Sequence, residues 1–359
     1  MRFDGNSFSW KKKRLKDFCV VNPRTEDLDD EFVYIDLESV SKGRLLNENI
    51  IAKENAPSRA QRVLQDNDIL FQCVRPYQMN NLYFKALHHN LQYVASTGYA
   101  QIRTEESASF VYHLLHTPNF NKSVMLRCTG SSYPAIASSD LEDIEVFICD
   151  KAEQQKIGLF LNAIDNRIAV QNKIIEDLKI LKKELCRKML SSITEYKTLG
   201  ELCSITTGKL DANANNNNGL YPFFTCGKDT LSIDNYAFNG EAILIAGNGD
   251  IGHTKYYCGK FNAYQRTYVL MDFKADAQFI KMGIDTYLPQ KISEETQGGA
   301  MPYIKLSTLT SLKIPFTTEE NQLSIKNHFH TIAQKVENEI KLLELLLKQK
   351  SYFLNAMFI

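Results

Sequence analysis

The chain repeats itself at an interval of 168 residues, and that periodicity constrains the fold more than any single motif. Gly130 falls on Gly298, Pro134 on Pro302, Ile136 on Ile304, Ser139 on Ser307 and Leu141 on Leu309. The match continues through Gln154/Gln322, Ile157/Ile325, Ile164/Ile332, Lys173/Lys341, Glu176/Glu344, Leu178/Leu346, Lys182/Lys350 and Met189/Met357. These are 13 identities in the 62 ungapped positions from 129 to 190, where ordinary residue usage gives roughly 3 or 4. Apolar exchanges such as Ile144/Leu312, Val146/Ile314 and Leu161/Phe329 fill the intervening core positions. Two unrelated helices sharing a heptad pattern would not also share the Gly-x-x-x-Pro-x-Ile lead-in. A second echo opens each half: Leu15-Lys16-Asp17-Phe18-Cys19 resembles Leu199-Gly200-Glu201-Leu202-Cys203. Between the echoes the halves diverge, so the chain reads as variable region, shared helix, variable region, shared helix.

Each shared segment opens with a capping-box pattern, Asp150-x-x-Glu153 and Thr317-x-x-Glu320. About 38 proline-free residues follow with 4-3 apolar spacing, the seam of a coiled coil on the order of 57 Å long. In the first helix the seam is Ile157, Leu161, Ile164, Ile168, Ile175, Leu178, Leu185 and Met189. In the second it is Ile325, Phe329, Ile332, Val336, Leu343, Leu346, Phe353 and Met357. Polar residues interrupt both seams at matching places, Gln171/Glu339 and Lys182/Lys350. Such positions either fix register or are turned outward by a stutter, which Leu181 and the leucine-rich run 342–347 would accommodate. Antiparallel pairing of the two helices predicts a pseudo-twofold arrangement of the two variable regions.

The 359 residues suffice for two or three domains, each with its own core. Lys and Arg number 42 and Asp and Glu 42. A neutral chain binds DNA only if its cations face one way or a partner supplies charge. No run approaches the ~18 apolar residues of a membrane span, and no apolar signal region follows the basic Lys11-Lys12-Lys13-Arg14. The eight cysteines form no C-x-x-C pair, so zinc spacing is absent and reduced, mostly buried thiols in the cytoplasm are expected.

The variable regions contain short strand-like runs (32–35, 68–71, 242–246 and 268–270) and one weakly helical stretch each, 107–115 and 277–287. The fold class is therefore α+β. The expected organisation is a first domain at 1–148, a long helix at 149–191, a second domain at 192–316 and a second long helix at 317–359. The asparagine tract 213–218 reads as an exposed loop. Polar and basic residues beside Gly or Pro turns are the recognition candidates, because loops on a scaffold carry such contacts. They are Arg75, Asn80 and Asn81 in the first region, and Lys228, Asn248, His253 and Lys255 in the second. Arg suits guanine and Asn adenine, through paired hydrogen bonds in the major groove.

The order variable–helix–variable–helix resembles the specificity subunit of type I restriction–modification enzymes. So do Gln297-Gly298-Gly299-Ala300-Met301-Pro302-Tyr303-Ile304 with Leu309 and Ile314-Pro315. Asp68-Ile69-Leu70, Val74-Arg75-Pro76 and Ser96-Thr97-Gly98-Tyr99 are similar to segments of one class of its target-recognition domain. Tyr221-Pro222-Phe223, the stretch 243–252 and Tyr264-Gln265-Arg266-Thr267 are similar to another class. Thr129-Gly130-Ser131-Ser132-Tyr133-Pro134 departs from the later copy by lacking its second glycine and leading glutamine. The resemblance implies two target-recognition domains reading the halves of a split DNA sequence, with the helices setting the spacer. It also implies docking of two methyltransferase subunits that use S-adenosylmethionine to methylate adenine, and through them up to two restriction subunits. A duplicated coiled-coil scaffold binding only proteins is the other reading.

Catalytic motifs are not found. Gly247-Asn248-Gly249-Asp250-Ile251-Gly252 matches G-x-G-x-x-G, but His253-Thr254-Lys255-Tyr256-Tyr257 after it reads as strand, whereas a dinucleotide site needs a helix there. A hairpin turn is expected instead. An adenine methyltransferase would need an Asn/Asp-Pro-Pro-Tyr/Phe run, and no Pro-Pro occurs. Glu195-Tyr196-Lys197 has the Glu-x-Lys of some nucleases without a strand-borne acid before it, and the histidines lack metal-ligand company. No metal, and no cofactor within this chain, is expected.

Overall fold

A computed structural model describes residues 10–88, 90–295 and 303–358. It divides into two compact units. The first comprises 1–172 with 341–359, and the second is 173–340. Each unit thus combines one variable region with part of both long helices, Lys151–Ser191 and Glu319–Met357.

In the first unit, Cys19–Val21, Tyr99–Thr104, Ile69–Gln72 and Leu82–Tyr83 form a four-stranded antiparallel sheet in that order. A second sheet, ordered Asn49–Ala52, Glu31–Ile35, Gln92–Ser96 and Ala60–Val63, contains one parallel pair. The second unit has a six-stranded sheet ordered Ser204–Thr207, Thr267–Met271, Phe238–Ala246, Thr254–Ala263, Tyr221–Phe224 and Thr230–Ile233. The weakly helical stretches are helices, Ala108–Leu114 and Ala277–Glu295. With strands and helices segregated along the chain, the architecture is α+β.

Beneath the divergent sequences the two units share a strand register. Ile102 pairs with Val21 on one side and Ile69 on the other. In the second unit Leu270 pairs with Ile205 and Ile243. Outside the sheets, Arg14 lies opposite Glu145 and Thr198 opposite Lys313 in matching edge ladders. Each ladder runs into a short turn of helix whose third residue reaches back. Asp17 accepts from Arg14 N at 2.7 Å and Glu201 from Thr198 N at 2.7 Å. The second echo noted in the sequence is this motif.

The long helices pack antiparallel within each unit. In the first, Ile157, Leu161 and Ile164 share a core with Leu354, Met357 and Phe358, and Phe160 meets Phe353 edge-on. In the second, Cys186 and Leu190 share a core with Ile325 and Phe329. All sixteen expected seam residues are buried or half-buried. At the end of the first helix the most buried positions, Cys186 and Leu190, lie one residue past the expected seam, whereas at the end of the second Leu354 and Phe358 are buried beside the seam residue Met357. They turn toward their unit's globular part: Leu190 packs with Phe279 and Met282, and Phe358 with Trp10 and Phe110.

The polar seam residues face inward. Gln171 is buried, Lys182 lies over the Phe329 ring at 4.5 Å, Lys350 pairs with Asp165 at 2.6 Å, and Glu339 pairs with Lys335. The stutter that would have turned these positions to solvent is not observed.

The two helix starts are built alike, with one difference from the expected boxes. Asp150 Oδ1 accepts from Ala152 N and Glu153 N at 3.0 and 3.1 Å. In the second helix the residue accepting from the first turn is Thr318, not Thr317: its carbonyl receives Gln322 N and its hydroxyl Asn321 N. The 168-residue interval itself puts 318 opposite Asp150. The Thr317 carbonyl is occupied by the Gln322 side chain.

That side chain and its counterpart form the joint between helix and variable region. Gln154 and Gln322 are 1% and 2% exposed. Gln154 Nε2 donates to Cys149 O at 2.9 Å, and its Oε1 accepts from Ser107 N at 3.2 Å. Gln322 Nε2 donates to Thr317 O at 2.7 Å, and its Oε1 accepts from Asp276 N at 3.2 Å. Ser107 and Asp276 each accept from the first turn of their unit's shorter helix. Each glutamine therefore ties the start of a long helix to the start of the helix packed on it. Gly158 allows the close approach in the first unit, since a Cβ there would lie 2.2 Å from Ser109 Oγ. At the matching position Lys326 pairs with Asp276.

Removing either amide takes away the partner of one N–H and one C=O that are buried or half-buried, which costs about 1–3 kcal/mol per group left unsatisfied. Gln154→Ala and Gln322→Ala should each lower unfolding stability by about 2 kcal/mol or more, whereas Gln155→Ala, at an exposed position, should leave it within about 0.5 kcal/mol. Urea unfolding measures both.

A second prediction concerns acid. His113 is fully buried, its Nε2 2.9 Å from Asn162 Oδ1 and its Nδ1 without a hydrogen-bond partner, 4.0 Å from Asp165. Burial pushes its pKa down to about 3, and that of the neighbouring His116 to about 4. Both imidazoles stay neutral in the folded state, while an unfolded chain takes up protons below about pH 6.5. Stability is therefore lost as pH falls from about 6.5 toward 4. Melting temperatures between pH 7.5 and 4.5 should fall less steeply for His113→Gln than for the parent chain.

Candidate nucleic-acid interface

The expected hairpin is present: Phe238–Ala246 and Thr254–Ala263 run antiparallel, and no helix begins at the glycine run between them. Its turn is closed by Gly252 N to Ala246 O and Ala246 N to His253 O, both at 2.9 Å. Gly249 and Gly252 adopt φ of 63° and 75°, which glycine tolerates without strain.

Three other loops are fastened to this turn. Asp250 N donates to Cys226 O at 3.1 Å, Gly247 N to Arg266 O at 3.0 Å, and Ile304 N to Gly247 O at 2.9 Å. Tyr268 closes the last connection, its hydroxyl donating to Ile304 O at 2.9 Å. Gly208 lies so close to the Ala263 carbonyl that a Cβ would be 1.9 Å from it, which brings the segment at Lys209 alongside Gln265. The loops at this end of the sheet thus form one hydrogen-bonded cluster.

Lys228 and His253 are exposed on this cluster and Asn248 is half-exposed, so three of the four candidates in the second region share one surface. Lys255 plays a different part from the one expected. Its ammonium donates to Asp229 O at 3.0 Å and Thr230 Oγ1 at 3.3 Å, lies 5.6 Å from the Phe224 ring, and has its pKa lowered by burial. It braces the adjoining turn. Lys209, Arg266 and Lys305 add exposed cations that the sequence reading did not single out, although Arg266 lay within a quoted motif. Asp211, Asp229 and Asp250 intersperse them, and Gln265 Nε2 donates to Asp211 at 2.8 Å.

In the first unit the candidates lie on the segment 74–81, organised by Gln72. Its Nε2 donates to Val74 O at 2.8 Å and Gln78 Oε1 at 2.9 Å, and its Oε1 accepts from Asn80 N at 3.1 Å. Asn81 is not available to a ligand, contrary to expectation. It is 1% exposed, its Oδ1 accepts from Gln72 N at 2.8 Å, and its Nδ2 lies 3.4 Å from His116 Nε2. Asn80 is half-exposed, and its Oδ1 is used by Lys42 N at 3.1 Å. Arg75 alone of the three directs its side chain outward: its guanidinium lies 4.3 Å over the ring of Tyr133, which is 62% exposed. Lys42, Arg44 and Arg59 are exposed on neighbouring segments. Most of the lead-in 297–304 lies outside the described residues. All eight cysteines are free and six are buried. No described helix is long and apolar enough to cross a membrane, and no group of metal-ligating side chains is found among the described residues.

Comparison with known proteins places this arrangement. An E. coli type I restriction enzyme EcoDI specificity subunit is 40% identical over 146 residues, spanning 40% of this chain and 32% of that relative, about a third of its length. A type I restriction enzyme MjaVIII specificity subunit from Methanocaldococcus jannaschii is 25% identical over 291 residues, 68% of each chain. A type I restriction–modification S subunit from M. genitalium has the same fold, with a TM-score of 0.61 at 18% identity over 100% of this chain and 98% of that one. A chain from a structure describing complex assembly and conformational transition of the type I R-M system gives a TM-score of 0.64 at 20% identity, covering 99% and 98%. The family model for the type I restriction modification DNA specificity domain matches twice, at residues 9–179 and 193–348, and the chain belongs to that family.

Proposed function

We propose that this chain is the non-catalytic subunit that gives a type I restriction–modification complex its DNA sequence specificity, each unit reading one half of a bipartite site. The observation that carries this reading is the shared scaffold with unshared loops. The strand registers, the edge ladders and the buried glutamine joints repeat between the units, while the loops at the strand ends differ in length and in exposed side chains. A duplicated frame with two different loop sets suits a ligand with two different halves. Duplex DNA is such a ligand, since readers with internal symmetry address separated half-sites along one face.

The long helices then hold a fixed number of unread base pairs between the halves and carry two methyltransferase subunits. Those subunits bring S-adenosylmethionine and the pocket for a flipped adenine, because a base inside the stack is out of reach of methyl transfer. Up to two restriction subunits join through them. With 42 basic and 42 acidic side chains, the chain supplies local rather than overall positive charge, and the partners add to it.

A protein-only scaffold is the competing reading, and salt separates the two. Purified with the methyltransferase of its own locus, the complex should bind a duplex carrying its site with an affinity that falls linearly in log–log against salt. About 6 phosphate contacts would give a slope of about −5. Fluorescence anisotropy between 50 and 300 mM KCl measures it. A stable complex with no DNA binding at any salt would establish the scaffold instead.

A further inference from the structure

One turn recurs in both units although neither its length nor its sequence repeats. In the first unit Cys73 follows the strand Ile69–Gln72. Its N–H donates to Gly98 O at 3.0 Å and its carbonyl accepts from Ile136 N at 3.1 Å. In the second unit Gly247 follows the strand Phe238–Ala246. Its N–H donates to Arg266 O at 3.0 Å and its carbonyl accepts from Ile304 N at 2.9 Å. Gly98/Arg266 and Ile136/Ile304 are both pairs 168 residues apart, so Cys73 and Gly247 occupy the same place in the frame. Two residues on, each chain turns left-handed, at Arg75 with φ 55° and at Gly249 with φ 63°.

Glycine suits that backbone and arginine does not, because a left-handed side chain crowds the following carbonyl. The first unit nonetheless has arginine there, held by its surroundings. Arg75 N donates to Pro134 O at 2.8 Å, Gln72 anchors the residues on either side, and Met79 is left-handed as well. Strain retained in so well-anchored a turn is a mark of a functional position. The guanidinium over Tyr133 sits at the surface, where it does not help to close a core. With its central carbon 4.3 Å from the ring centroid, the guanidinium has an aromatic platform against which its planar fork of N–H donors can be held.

We propose that this turn is the base-reading position of both units, with Arg75 addressing a guanine in one half-site and Asn248, beside Gly249, an adenine in the other. Tyr133 is a positioning residue that holds the guanidinium plane. The proposal rests on the DNA-reading role argued above. The fork of an arginine matches guanine O6 and N7, and the amide of an asparagine matches adenine N6 and N7. Exposed cations flank the first turn for the phosphates. Lys42 is joined to it through Asn80, and Arg59 through the Thr97 N–H beside Gly98.

The test uses the full chain co-expressed with its methyltransferase, with N6-methyladenine mapped over the host DNA by single-molecule sequencing. Arg75→Lys keeps the charge and loses the fork. It should relax one G·C position in one half of the motif by about tenfold or more, and Asn248→Ala should relax one A·T position in the other half. Tyr133→Leu should reproduce the Arg75→Lys pattern, while Tyr133→Phe, which keeps the ring, should retain the parent motif. Melting temperatures of the purified complexes, expected to be within a few degrees of the parent, separate these effects from misfolding. The proposal is overturned if well-folded Arg75→Lys and Asn248→Ala complexes both keep the parent motif, or if both alter the same half. A parent complex that methylates no split motif at all would overturn the DNA-reading role itself, and this proposal with it.

Discussion

A primary amide, buried twice, joins the parts of this protein. Gln154 and Gln322 each lie where no water reaches, and a buried amide must find partners for both its donor and its acceptor. Each finds them in the carbonyl just before its own helix and in the N–H that begins the neighbouring helix. The geometry allows little slack, so the direction in which a long helix leaves its variable region is set by two hydrogen bonds rather than by apolar packing alone. Apolar contacts are tolerant of small rotations.

The features visible in the sequence were those whose physics is local or periodic. The seam from Ile157 to Met189 and its copy from Ile325 to Met357 follow from heptad spacing. The glutamine pair stood out as an identity at the 168-residue interval, although its role as a joint required the fold. The shared strand registers were hidden because insertions change the interval along the chain. Val21 matches Ile205 at one offset, Ile69 matches Ile243 at another and Ile102 matches Leu270 at a third. Within strands any β-favouring apolar residue serves, so identity carries little of the signal.

The site was legible in part. Of the turn-borne polar residues expected at the surface, Arg75, Lys228, Asn248 and His253 lie on exposed or half-exposed loops. Asn81 shows why residue type alone misleads: an asparagine next to a turn reads a base or satisfies the turn's own backbone with the same atoms. Here its amide is spent on Gln72 and His116. Lys255 was drawn inward by an aromatic ring on the neighbouring strand and a carbonyl in the turn that follows it, neighbours that no local window reveals. The exposed cations Lys209, Arg266 and Lys305 gather at one end of the sheet only because loops distant in sequence hydrogen-bond to the turn or to one another.

The central claim is that each unit carries one half of the specificity on a common frame, and an exchange of variable regions tests it most directly. Residues 193–316 would be replaced by the corresponding region of a relative with a known split motif, keeping Gln322 and the helices of this chain. The methylated motif of the assembled complex would then be mapped. The account predicts a hybrid motif in which one half is the relative's, the other half is unchanged, and the gap between them is kept to within a base pair. A stably assembled hybrid in which both halves change would contradict it, because specificity would then belong to the whole chain rather than to its two units.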